Sequence, residues 1–164
     1  MVLEASAVEA AAGVERVVVG KVFELRFQTN NFYMADDTIF PKGEPASPDH
    51  FTGTVSIYTL VPNNDKLHFT STSVTFEAGA RTNWHKHSGG QVLIVTNGAG
   101  QFQESGKPVQ SIKKGDVVTV MPGTKHWHGA SPNSALTHIA VNMNTQNGIV
   151  DWLERVTDEE YNKQ

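Results

Sequence analysis

From Phe51 onward the chain breaks into short runs rich in Val, Ile, Thr and Phe: FTGTVSIYTLV, HFTSTSVTF, QVLIVTNG, GQFQES, PVQSI, DVVTVM and LTHIAVN. Gly, Pro, Asn and Asp punctuate these runs roughly every eight to twelve residues, the spacing of an all-β sandwich or barrel. Along such runs apolar and polar positions alternate, so Val74, Phe76, Leu93, Val95, Val118, Val120, Leu136 and Ile139 are expected in the core or the cavity wall. Upstream, residues 21–27 (KVFELRF) set Phe23, Leu25 and Phe27 against Glu24 and Arg26, which predicts a further half-buried strand. Residues 41–50 hold three prolines and a glycine and read as a loop. Residues 6–15 read as a short helix or a flexible lead. After Asn147-Gly148 the pattern turns helical, with Trp152, Val156 and Tyr161 near helical spacing and a capping box at Thr157-x-x-Glu160. The chain therefore divides into an N-terminal extension, residues 1–45, and a barrel, residues 46–164, that ends in a helical segment.

Length and composition narrow the function. A chain of 164 residues suits one domain. It contains no cysteine, which excludes disulfides, thiolate metal sites and cysteine nucleophiles. Net charge is −4 with no Lys/Arg block, so a nucleic-acid partner is not expected. No apolar run approaches the ~18–20 residues of a membrane span. The first twenty residues lack the long apolar core of an intact signal peptide, and the compartment stays open between cytoplasm and periplasm. A small molecule is left as the expected partner.

The histidines are clustered. Of seven, five lie at positions 85, 87, 126, 128 and 138, and none lies in the first 49 residues. On a strand, side chains alternate, so His85 and His87 share a face while Trp84 and Lys86 take the other. His126-Trp127-His128 repeats the device, and Gln91 opens the next strand. A single His-x-His is commonplace on surfaces and in cores. Two such pairs with a fifth histidine, bordered by glycine turns, are read as one nitrogen and oxygen donor set for a divalent transition metal. Trp84 and Trp127 then serve packing or a subunit interface, and Arg81 is expected to hold Glu77 or a carbonyl. Thr72, Thr82 and Asn142 either point into the cavity or satisfy neighbouring strands.

The spacing resembles the cupin superfamily. Its first motif, G-x5-H-x-H-x3-E-x6-G, is met by Gly79, His85, His87, Gln91 and Gly98, with Gln in place of Glu. Its second, G-x5-P-x-G-x2-H-x3-N, is met by Gly115, Gly123 and His126, and departs at Met121 and Ala130. The resemblance covers about residues 70–145. It implies a double-stranded β-helix (jelly-roll) barrel, a homodimer, and one divalent metal per chain held by His85, His87, Gln91 and His126. Uncovered edges at residues 51–60 and 21–27 agree with pairing between subunits. The segments VTFEAGARTNWHKHSGGQVLIVTNGAG, GDVVTVMPGTKHWHGASPNSALTHIAV and VDWLERVTDEEY are similar to a bacterial single-domain cupin group. That group includes the manganese- or iron-dependent hydroxynitrile lyases and proteins labelled as relatives of carboxymuconolactone decarboxylase. The resemblance implies that His138 is catalytic and that His128 lines the cavity. The metal is expected to be Mn or Fe, with Zn and Ni as alternatives.

Two residue readings stand beside the resemblance. A glutamate ligand would leave the site at a formal +1, whereas Gln91 leaves +2, a stronger Lewis acid and a better home for an anion. That favours lyase chemistry without redox change. His138 and His128 are extra to the minimal metal motif, and a histidine beside a cation in a dry wall is kept neutral and able to accept a proton. His138 is expected to open a strand running beside the one that carries His126. The leading reaction is cleavage of a cyanohydrin; a cupin dioxygenase or isomerase, and a metal-binding protein without turnover, are the alternatives.

Overall fold

The computed structural model describes residues 39–163, together with the backbone of residues 18–19 and 22–23. The chain falls into two units, Met1–Asp36 and Asp37–Gln164. In the first, β1 (Val18–Val19) pairs antiparallel with β2 (Val22–Phe23). Val22 and Phe23 belong to the strand expected over residues 21–27; the rest of that strand and the helix expected over 6–15 lie outside the described residues.

The second unit is a jelly roll of two curled antiparallel sheets. The first sheet runs in the order β3 (Glu44–Pro45), β5 (Val55–Val61), β6 (Phe69–Phe76), β13 (Leu136–Met143), β9 (Gln91–Glu104) and β11 (Val117–Val120). The second joins β4 (Phe51–Thr52), β7 (Arg81–Thr82), β8 (His85–Lys86) and β14 (Asp151–Trp152) through β12 (His126–Ala130) to the other half of β9, with which β10 (Gln110–Lys113) pairs directly. Residues 91–98 of β9 pair with β13 and residues 100–104 with β12, so this one strand serves both sheets. The bend falls at Gly98, where φ is +74° and an added Cβ would sit 1.9 Å from the Ala135 carbonyl oxygen. Only glycine fits a positive φ with backbone that close.

Phe51, Val74, Phe76, Leu93, Val95, Phe102 and Leu136 fill the space between the sheets. A second cluster, Trp84, Trp127, Val156 and Tyr161, packs against the outside of the second sheet. Its lid is α1 (Asp158–Asn162), started by the capping box at Thr157 and Glu160. Tyr161 Oη donates to the Ala130 carbonyl at 2.8 Å. The two tryptophans therefore pack inside the subunit; Trp127 is fully buried, and its Nε1 donates to Gln103 Oε1 at 2.7 Å.

Arg81 holds a carbonyl, that of Val156, as expected, and also the Asp158 carboxylate, while Glu77 pairs with Lys42. Four other expectations are corrected. Ile139 is half-buried on the outer face of β13, because Leu136, His138, Ala140 and Asn142 take the inner one. Trp152 lies on a strand, β14, and the helix begins only at Asp158. The His138 strand, β13, neighbours β6 and β9 and does not pair with β12. Within residues 51–60, β5 pairs with β6 along its length and with β3 at Ser56 and Ile57, so the expected edge is covered at those two positions. Among the described residues, no helix is long and apolar enough to cross a membrane.

Candidate metal centre

The site grows out of strand register. His85 on β8 and His126 on β12 are direct antiparallel partners. Alternation turns their neighbours Trp84 and Trp127 outward, with rings 6.5 Å apart, and turns the two imidazoles inward, with rings 4.2 Å apart. His87 follows on the same face, its ring 5.2 Å from His85 and 5.5 Å from His126. Gln91 begins β9 opposite Asn142 of β13. Two residues beyond His126, His128 reaches across the interior to His138, with His128 Nδ1 and His138 Nε2 3.2 Å apart. Although β12 and β13 belong to different sheets, their inner faces look at each other. All six side chains are buried, with at most 4% exposure.

Three of the rings share one kind of support. Nδ1 of His85 lies 2.9 Å from the Asn83 carbonyl, Nδ1 of His87 lies 2.6 Å from the Ile149 carbonyl, and Nδ1 of His126 lies 2.9 Å from the Thr124 carbonyl. A carbonyl only accepts, so each Nδ1 carries the hydrogen, and in the neutral ring Nε2 is left with a lone pair. This is the arrangement by which proteins orient metal-binding imidazoles. His128 differs: its Nδ1 is engaged by another histidine.

The donors fit a cation and fit one another poorly without it. His87 Nε2 is buried with no hydrogen-bond partner among the described residues. Nε2 of His126 faces Oε1 of Gln91 at 3.2 Å. With Nδ1–H donated to Thr124, that contact sets two lone pairs against each other, a conflict that a shared cation removes. His85, His126 and His128 also each present a ring nitrogen within 4.8 Å of the other two. A divalent ion with nitrogen and oxygen preferences suits this set.

The surroundings of the five inner histidines favour the neutral ring. Burial is the leading cause for all five. It takes His126 and His138 down from 6.5 to about 4. His85 and His128 are held well below the ordinary value, with neighbouring histidines adding to the effect of burial. His87 is lowered less far, because the Ile149 carbonyl and Asp151 oppose the desolvation. Lone pairs are thus available for a metal or a proton.

A cavity of about 110 Å³ opens beside these groups. Thr72, Thr82 and Asn142 all line it, as does the His128–His138 pair, and among the described residues no Asp or Glu does. Thr82 Oγ1 also accepts the His128 backbone N–H at 3.2 Å. Sequence reasoning missed Trp152 and the neighbouring Ile149 and Val150, which also line the cavity. Trp152 is the register partner of His85, its ring 5.0 Å from the imidazole, and it stacks on His50 at 4.5 Å. The strand-like alternation of Val150, Asp151 and Trp152 just after Gly148 was the available signal.

Comparison with known proteins places these features in context. The cupin domain family matches residues 72–141. Over 115 residues, 70% of this chain and 88% of the relative, the sequence is 51% identical to an (R)-mandelonitrile lyase from Granulicella tundricola. The fold superposes on a cupin-like protein from Thermotoga maritima with a TM-score of 0.76 and 48% identity, over 77% of this chain and 96% of that one. A DMSP lyase from Ruegeria pomeroyi shares the fold at TM-score 0.55 and 16% identity, over 74% of this chain and 62% of that one.

Proposed function

Since this chain belongs to the cupin superfamily, we propose that it is a metal-dependent lyase that cleaves a small cyanohydrin into an aldehyde and hydrogen cyanide. One observation carries the reading: among the described residues, buried histidines held in the neutral form and the Gln91 amide line the cavity, and no carboxylate does. Such a site leaves the full +2 of a bound ion uncompensated and supplies a neutral base beside it. Similarity to the mandelonitrile lyase supports the substrate class.

His85, His87, Gln91 and His126 would hold the ion, manganese or iron in this reading. When bound, it supplies Lewis acidity and a positive potential toward an anion leaving the substrate. The protein's own groups handle the proton. His138 keeps its hydrogen on Nε2, donated to His128 Nδ1, and takes the cyanohydrin hydroxyl proton on Nδ1, an atom with no partner among the described residues. As the O–H bond breaks, the oxygen electrons form the C=O bond and the C–C bond to cyanide breaks with its electron pair. His138 then returns the proton to cyanide. His128 orients the His138 ring throughout. Trp152, Phe51 and Phe76 give the carbon skeleton an apolar, aromatic wall and exclude water. The reading takes the homodimer as the working assembly, and sedimentation showing a concentration-independent monomer contradicts that part.

Mandelonitrile cleavage by the manganese-loaded protein, followed as benzaldehyde absorbance under anaerobic conditions, tests the function. Benzaldehyde formation without oxygen supports the lyase. Absence of cleavage, or a strict need for oxygen, overturns it.

A further inference from the structure

Gln91 and Asn142 are register partners on β9 and β13, and their exposures are 3% and 8%. The Gln91 side chain donates from Nε2 to Asn142 Oδ1 at 2.9 Å, while its Oε1 faces His126 Nε2 at 3.2 Å. A primary amide has two ends of nearly the same shape and opposite character. The oxygen donates a lone pair to a cation, and the –NH2 repels one. A half-turn about the last side-chain bond exchanges them. Glutamate does not have this difficulty, because either oxygen serves. A glutamine ligand therefore needs a neighbour that tells its ends apart, and Asn142 is the residue that engages the –NH2.

We propose that Asn142 is the positioning residue that holds Oε1 of Gln91 toward the metal position by accepting the amide hydrogen on Oδ1. Accepting that hydrogen also draws electron density toward the Gln91 oxygen, since hydrogen bonds polarise one another in a low-dielectric interior. Asn142 thus acts through Gln91, and the inference rests on Gln91 being a ligand.

The test is the affinity of the full chain for Mn²⁺, measured by competition with a chromophoric chelator. The proteins are the parent, Asn142→Leu, Asn142→Ala, Asn142→Asp, Gln91→Ala, Gln91→Glu and Gln91→Glu combined with Asn142→Leu. Asn142→Leu and Asn142→Ala should each weaken binding by about 10–100-fold, the usual effect of losing the group that orients a ligand. Asn142→Asp keeps an acceptor opposite Nε2 and should retain the parent affinity or exceed it. In the Gln91→Glu background the loss caused by Asn142→Leu should all but disappear. Equal losses in both backgrounds would mean that Asn142 acts through packing, and would overturn the proposal. So would unchanged affinity in Asn142→Leu alongside weakened binding in Gln91→Ala. If Gln91→Ala itself binds as tightly as the parent, Gln91 is no ligand, and the metal assignment falls together with this inference.

Discussion

His85 and His126 stand directly opposite each other on neighbouring antiparallel strands, their rings 4.2 Å apart and each Nδ1 tied to a main-chain carbonyl two residues before it in the sequence. The same short local device, repeated on paired strands, aims two lone pairs into one small volume. His87 adds a third ring braced from the segment before β14.

Removing two of these ligands should therefore remove the ion. In the combined variant His87→Ala with His126→Ala, metal analysis should fall from about one divalent ion per chain to near zero. Full occupancy in that variant contradicts the ligand set.

Gln91→Glu separates affinity from chemistry. The added carboxylate lowers the formal charge of the site from +2 to +1. It should tighten metal retention against a chelator, while kcat falls on the order of tenfold, as expected for losing about 1.4 kcal/mol of charge stabilisation. An unchanged or increased kcat would show that the charge on the centre does not drive the reaction.

The metal-free protein should be acid-sensitive in a defined direction. His126 and His138 have pKa values near 4 in the folded chain and ordinary values near 6.5 when unfolded. Between those values the unfolded chain binds more protons, so stability is full above about pH 6.5 and is lost as pH falls toward 4. Thermal unfolding of the chelated protein should show Tm dropping across that window. A flat profile from pH 7 to 4.5 contradicts neutral buried rings.

The jelly roll and the five inner histidines were readable because both rest on local rules. Period-two alternation sorts His85 from Trp84 and His126 from Trp127, and turn residues mark where each strand stops. What depends on long-range pairing was not readable. β12 and β13 are consecutive in the chain, yet β9 lies between them, because β9 bends near Gly98 and gives a different half to each. His138 reaches His128 across the interior rather than along a shared ladder. Trp152 has a spacing to Val156 that fits a helix. Its place is set instead by pairing with His85, far away in sequence. The support for Gln91 depends likewise on which residue of β13 lies opposite it.

His138→Ala should leave metal content unchanged and lower kcat by about 10²–10⁴-fold, the usual effect of losing a general base. The parent's rate should rise with pH as one group deprotonates, and that limb should vanish in the variant. Loss of metal would make His138 a ligand; full activity with full metal would reduce it to a core histidine.

In the proposed lyase the buried histidine centre must be loaded for cleavage to occur. The most direct measurement is the rate of mandelonitrile cleavage by chelator-stripped protein as Mn²⁺ is added back. The rate should start near background, rise in proportion to added metal and level off at about one equivalent per chain. Cleavage at full rate by the stripped protein, or a rate indifferent to added metal, would contradict it.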